Sequence, residues 1–80
     1  MYECDINIIK LIDILTVENK ISSKTEFYDE IKSSRQTISK IKKGINHFTT
    51  SQIEIICKKY NVNANWIFGI EKNIFIILKP

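Results

Sequence analysis

Apolar residues recur along this chain at intervals of three and four, the spacing of helices that bury one face. Ile8, Leu11, Ile12 and Leu15 set the rhythm, and Asp5 precedes them as a candidate N-cap, so a first helix is predicted over about residues 6 to 17. Ser23-Lys24-Thr25-Glu26 has the form of a capping box, in which the serine oxygen accepts from the Glu26 amide while the glutamate reaches back. It opens a second helix, about Lys24 to Ile31, that buries Phe27 and Ile31. Ser34 is suited to cap a third helix burying Ile38 and Ile41, and Gly44 suits the left-handed residue that ends it. Only a turn of about three residues separates the second helix from the third. Thr49-Thr50-Ser51-Gln52 forms another capping box and starts a fourth helix through Ile53, Ile56, Cys57 and Tyr60, with Asn61 as its stop. A short fifth helix is predicted near Asn63 to Phe68, closed by Gly69. The pattern is all-α, with the second and third helices forming a helix-turn-helix.

Composition narrows this picture without altering it. Eighty residues suffice for one small core, and the single proline, Pro80, leaves the helical segments uninterrupted. Residues 1–70 are expected to form the domain and residues 71–80 an apolar tail. The longest fully apolar run, Ile74 to Leu78, is about a quarter of the roughly 20 residues a bilayer crossing requires. Asp5, Lys10 and Asp13 break up the apolar residues near the start, so no export signal is expected. Cys4 and Cys57 lack metal-ligand spacing and fit a reduced, cytoplasmic protein, although a bridge between them stays open.

Net charge is only +3, but it is unevenly placed. Residues 1–30 carry seven acids against three lysines, whereas residues 31–53 carry Lys32, Arg35, Lys40, Lys42 and Lys43 and no acid. One face suited to a polyanion is the expectation, and charge alone leaves a solvated lysine face equally open. The third helix decides between them. Its first turn presents Arg35 and Gln36, followed by Ser39 and Lys40 on the same outward side. Arginine donates two hydrogen bonds to guanine O6 and N7, and glutamine pairs with the N6 and N7 edge of adenine. A recognition helix enters the major groove by its N-terminal residues, where these two stand.

Residues 24 to 44, with apolar Phe27, Ile31, Ile38 and Ile41 and the string Ser34-Arg35-Gln36-Thr37-Ile38-Ser39, resemble the helix-turn-helix of the phage-repressor and Cro (XRE-like) family. Asn61-Val62-Asn63-Ala64-Asn65-Trp66-Ile67-Phe68-Gly69 is similar to that family's closing segment, so the likeness spans about residues 6 to 69. The resemblance implies a five-helix, lambda-repressor-like domain that binds double-stranded DNA and regulates transcription, as a repressor of phage or mobile-element type. It implies base reading by Arg35, Gln36, Ser39 and Lys40, and phosphate contacts from Lys24, Thr37, Lys43 and the loop holding Asn46 and His47. Lys42 flanks the groove beside Lys43 as a further phosphate contact. The chain departs from the family at Tyr28, where a small residue is usual, at Lys32, where the turn usually has glycine, and at Ser33, which replaces an aliphatic. Lys32 in that place is expected to take positive φ, at a cost on the order of 1 kcal/mol.

The remaining candidates read as structure. His47, the only histidine, is either a phosphate contact or solvated. Cys57 and Trp66 belong with the core, and the adjoining Asp29 and Glu30 share no helix face and make a poor acid/base pair. Neither an enzyme nor a cofactor, metal or small-molecule site is expected. The tail is expected either to pack on the first helix or to form part of a homodimer interface. An antitoxin-like or adaptor module on the same fold is the alternative function.

Overall fold

The computed structural model describes residues 1–76. In chain order it holds α1 (Glu3–Val17), α2 (Lys24–Glu30), α3 (Arg35–Lys42), α4 (Thr50–Tyr60) and α5 (Ala64–Ile67). The all-α expectation is met, and four of the five helices start where the capping residues indicate. Ser23, Ser34 and Thr49 each accept from the backbone N–H three residues on, and Asn63 accepts from Asn65.

α1 is the exception. It begins at Glu3 with Tyr2 as N-cap, so Asp5 lies inside the first turn and is not the cap. Its carboxylate accepts from the Tyr2 N–H at 3.3 Å, which satisfies one of the orphan donors of the helix start. The capping box of α2 also differs in detail, because the Glu26 carboxylate accepts from Ser22 N–H at 2.9 Å and not from Ser23. The fourth helix closes its box as predicted, with Thr49 N–H donating to Gln52 at 2.9 Å.

One C-terminal device is repeated four times. After α1, α2, α3 and α5 the chain turns through left-handed Asn19, Lys32, Gly44 and Gly69, with φ of 58°, 56°, 77° and 77°. At each, the next residue's N–H reaches back to a carbonyl in the last turn, as Ser33 does to Tyr28 at 2.8 Å and Ile45 to Lys40 at 2.9 Å. α4 ends on left-handed Asn61.

α1 runs through the middle of the fold and touches α2, α3 and α5. Ile8, Leu11, Ile12 and Leu15 from α1 meet Phe27, Ile31, Ile38, Ile41, Ile56, Val62 and Ile67, all buried. Ile53, Cys57, Tyr60 and Trp66, expected in the core, are only partly buried at its margin. Tyr60 stacks on Phe27 with ring centroids 5.6 Å apart. Asn7 is a buried polar residue whose amide donates at 3.1 Å to the carbonyls of both Trp66 and Ile67, closing the end of α5 against α1.

The first part of the tail folds back on the link between α4 and α5. Asn63 N–H donates to Ile74 O at 2.7 Å and Ile76 N–H to Asn61 O at 2.8 Å, so Val62 and Phe75 face each other in an antiparallel bridge. Lys20 lies 3.6 Å over the Phe75 ring, tying the tail to the α1–α2 link. Ile77 and Leu78, the rest of the apolar run, lie outside the described residues. Among the described residues both cysteines are free, and no helix is long and apolar enough to cross a membrane.

Candidate nucleic-acid interface

The geometry of α3 follows from the turn before it. Left-handed Lys32 reverses the chain after α2, and extended Ser34, at φ −134° and ψ 163°, caps α3 by accepting from Thr37 N–H at 3.2 Å. α4 braces the same turn, because the Gln52 side chain donates to the carbonyl of Ile31 at 3.2 Å. Ile38 and Ile41, at 2% and 0% exposure, fix which side of α3 faces inward. Arg35, Gln36, Ser39 and Lys40 are therefore brought together on the outward face, all exposed.

The expected backbone contacts are placed less uniformly. Lys42, Lys43 and Asn46 are exposed at the end of α3 and in the loop after it. Thr37 is half-buried, with its hydroxyl 3.1 Å from that of Ser34, so its side chain belongs to the cap network. Lys24, exposed at the start of α2, stands 3.2 Å from Asp13 of α1. Both partners are solvated, and such surface pairs are worth at most about 1 kcal/mol, little obstacle to an exchange of partners.

The basic segment stays uncompensated. Among the described residues, the ion pairs are formed by Lys20, Lys24, His47, Lys58 and Lys59, and none involves Lys32, Arg35, Lys40, Lys42 or Lys43. The positive field of residues 31–53 is thus left open to an external anion.

His47 is exposed, with 38% of its side chain accessible, and it is also held in place. Its Nδ1 is 2.6 Å from Oδ2 of Asp5, whose side chain is fully buried, and its ring lies flat on that of Tyr2 at 3.9 Å. Oδ1 of Asp5 accepts from the Phe48 N–H at 3.0 Å. The loop between α3 and α4 is in this way pinned to the start of α1. No spacing in the sequence joins residues 5 and 47, so sequence reasoning missed this contact. The brace from Gln52 escaped it for the same reason.

Burial pushes the Cys4 thiol up, with the neighbouring Asp5 charge adding to the effect, and burial likewise pushes up Cys57, so neither is a ready nucleophile. No group of three potential metal ligands occurs among these residues.

In comparison with known families, residues 17–67 match the family model described as Helix-turn-helix. The matched stretch starts at the last residue of α1 and runs to the last residue of α5. No curated protein and no solved structure gave a match.

Proposed function

The chain belongs to the phage-repressor and Cro (XRE-like) type of helix-turn-helix family, a family of DNA-binding transcription regulators and not of enzymes, and on that premise we propose that it reads a specific duplex sequence in the major groove with α3 and acts as a repressor of phage or mobile-element type. The observation that carries this reading is the first turn of α3. Arg35 and Gln36 are exposed there, unpaired by any carboxylate among the described residues, on a helix whose N-terminus is capped and whose other face is locked in the core. Arg35 and Gln36 read bases, with Ser39 and Lys40 one turn further along the same face. Lys42, Lys43, Asn46 and His47 hold the backbone on one side, and Lys24 holds it from the start of α2 after leaving Asp13.

Exposed Phe68, Ile70 and Ile76, at 50%, 73% and 50%, support a homodimer formed through the α5 and tail side. A pair of such domains would address two half-sites about one DNA turn apart. The same apolar side chains support the antitoxin-like or adaptor reading if DNA affinity proves absent. Titration of a labelled duplex at several salt concentrations separates the two. Salt-dependent binding that weakens similarly on all sequences in Lys43→Ala, with the log–log slope reduced by about 1, is the result expected of a phosphate contact. Duplex affinity that ignores both salt and this substitution would reject the DNA reading.

A further inference from the structure

The bridge between the tail and the α4–α5 link leaves one strand edge open. Asn63 N–H bonds to Ile74 O at 2.7 Å and Ile76 N–H to Asn61 O at 2.8 Å, so Val62 and Phe75 face each other as the pair between two ladder bonds that neither residue makes itself. In an antiparallel ladder the N–H and carbonyl of such a residue point away from its partner strand. Those of Phe75 are therefore turned to the side of the tail opposite Val62, and neither enters a hydrogen bond among the described residues. The residue itself is held, packed on the margin of the core with Lys20 Nζ 3.6 Å over its ring. A donor and an acceptor left open on one extended residue are what an added strand matches. Edges that stay single are ordinarily blunted by a charge or a proline, and Ile74-Phe75-Ile76 has neither.

We propose that this edge takes a second copy of the chain, the two tails pairing antiparallel across a two-fold axis through Phe75. This rests on the homodimer reading above and gives the way in which the copies join. The occupant follows from the geometry, because antiparallel pairing centred on Phe75 sets its N–H against its counterpart's carbonyl and the reverse, closing two bonds with one kind of residue. A register shifted by one residue is poorer, since Ile74 O and Ile76 N–H are already spent within each copy. The two-fold register places Ile76 of each copy opposite Ile74 of the other, so a 50% exposed isoleucine covers a half-buried one. Exposed Phe68 and Ile70, just before the tail, supply apolar surface that one bonded pair lacks. Such a contact is the same patch on both copies and closes on itself, giving a dimer and not a fibre.

Two measurements on the full chain test the pairing. In an equal mixture of isotope-labelled and unlabelled protein, a filtered NOE between the Hα atoms of Ile74 and Ile76 on different copies is expected, because that pair brings its Cα atoms to about 4.5 Å. Sedimentation equilibrium then compares Phe75→Pro with Phe75→Ala. Both variants lose the ring, but only proline lacks the outward N–H, and both keep the two inward bonds made by Asn63 and Ile76. The dimer Kd should be weaker in Phe75→Pro than in Phe75→Ala by at least about tenfold, for two hydrogen bonds lost. Circular dichroism reports whether each variant is folded, and the NOE in the unchanged chain carries the test if one is not. A dimer without this NOE, or equal Kd in the two folded variants, overturns the inference and leaves the homodimer reading standing. A monomer at high micromolar concentration overturns both and leaves the edge to the strand of a different protein.

Discussion

Lys32 and Ser33 carry the strain of the helix-turn-helix. Lys32 holds φ 56°, a region that disfavours any residue with a Cβ, and Ser33 has a buried hydroxyl with no hydrogen-bond partner among the described residues. Lys32→Gly is expected to raise stability by about 0.5 to 1 kcal/mol, a shift of several degrees in thermal unfolding. Ser33→Val, which removes an unsatisfied hydroxyl, is expected to add about 1 kcal/mol in urea unfolding. A loss of stability in either variant would show that the turn tolerates its present residues better than its geometry implies. Both positions are legible through the family resemblance, since glycine is usual at the place of Lys32 and an aliphatic at that of Ser33. The Asp5 contact to His47 is not legible there, because it joins two residues 42 apart through packing of α1 on a loop. The side-chain network that draws Thr37 into the cap is also invisible, although the cap itself is plain.

Among the helices, caps and apolar spacing act together. Ser23, Ser34 and Thr49 mark three helix starts and Asn61, Gly44 and Gly69 three ends, because each type satisfies terminal backbone groups or accepts a left-handed conformation cheaply. Capping preferences misplace the start of α1: Tyr2 is not a capping residue type, and its N–H is satisfied by Asp5 from inside the helix. α5 has only four residues and depends on tertiary contacts for its existence. Asn7→Ala removes the donor to its two last carbonyls, and is expected to cost about 1 to 3 kcal/mol. Amide exchange should then accelerate at residues 68–70 more than in α2, whereas uniform acceleration would mean that Asn7 supports the whole core equally.

Exposed apolar side chains occur along the whole molecule, from Val17 through Ile45 in the basic segment to the α5 and tail region. The acid-free basic segment lies between 31 and 53, while Phe68, Ile70 and Ile76 are exposed beyond it. The paired segment at 74–76 explains part of the apolar tail within one copy, since Phe75 is half-buried against the body. The exposed remainder leads us to expect self-association: sedimentation should show a dimer at micromolar concentration that Ile70→Lys together with Phe68→Lys converts to monomer, and a monomer at high micromolar concentration would contradict it. The helix-turn-helix and its outward face are readable from periodicity and charge, whereas the tail's antiparallel bridge is not, because one isolated bridge leaves no alternating pattern. The proposed sequence-specific regulation rests above all on base reading by the first turn of α3, which selection of preferred duplexes by the unchanged protein and by Arg35→Ala puts to the proof. Arg35→Ala is expected to lose about 1 to 3 kcal/mol on the preferred site and to relax preference at one position, a guanine, while the rest of the site is kept. An unchanged site preference and unchanged affinity in Arg35→Ala would contradict base reading by this helix.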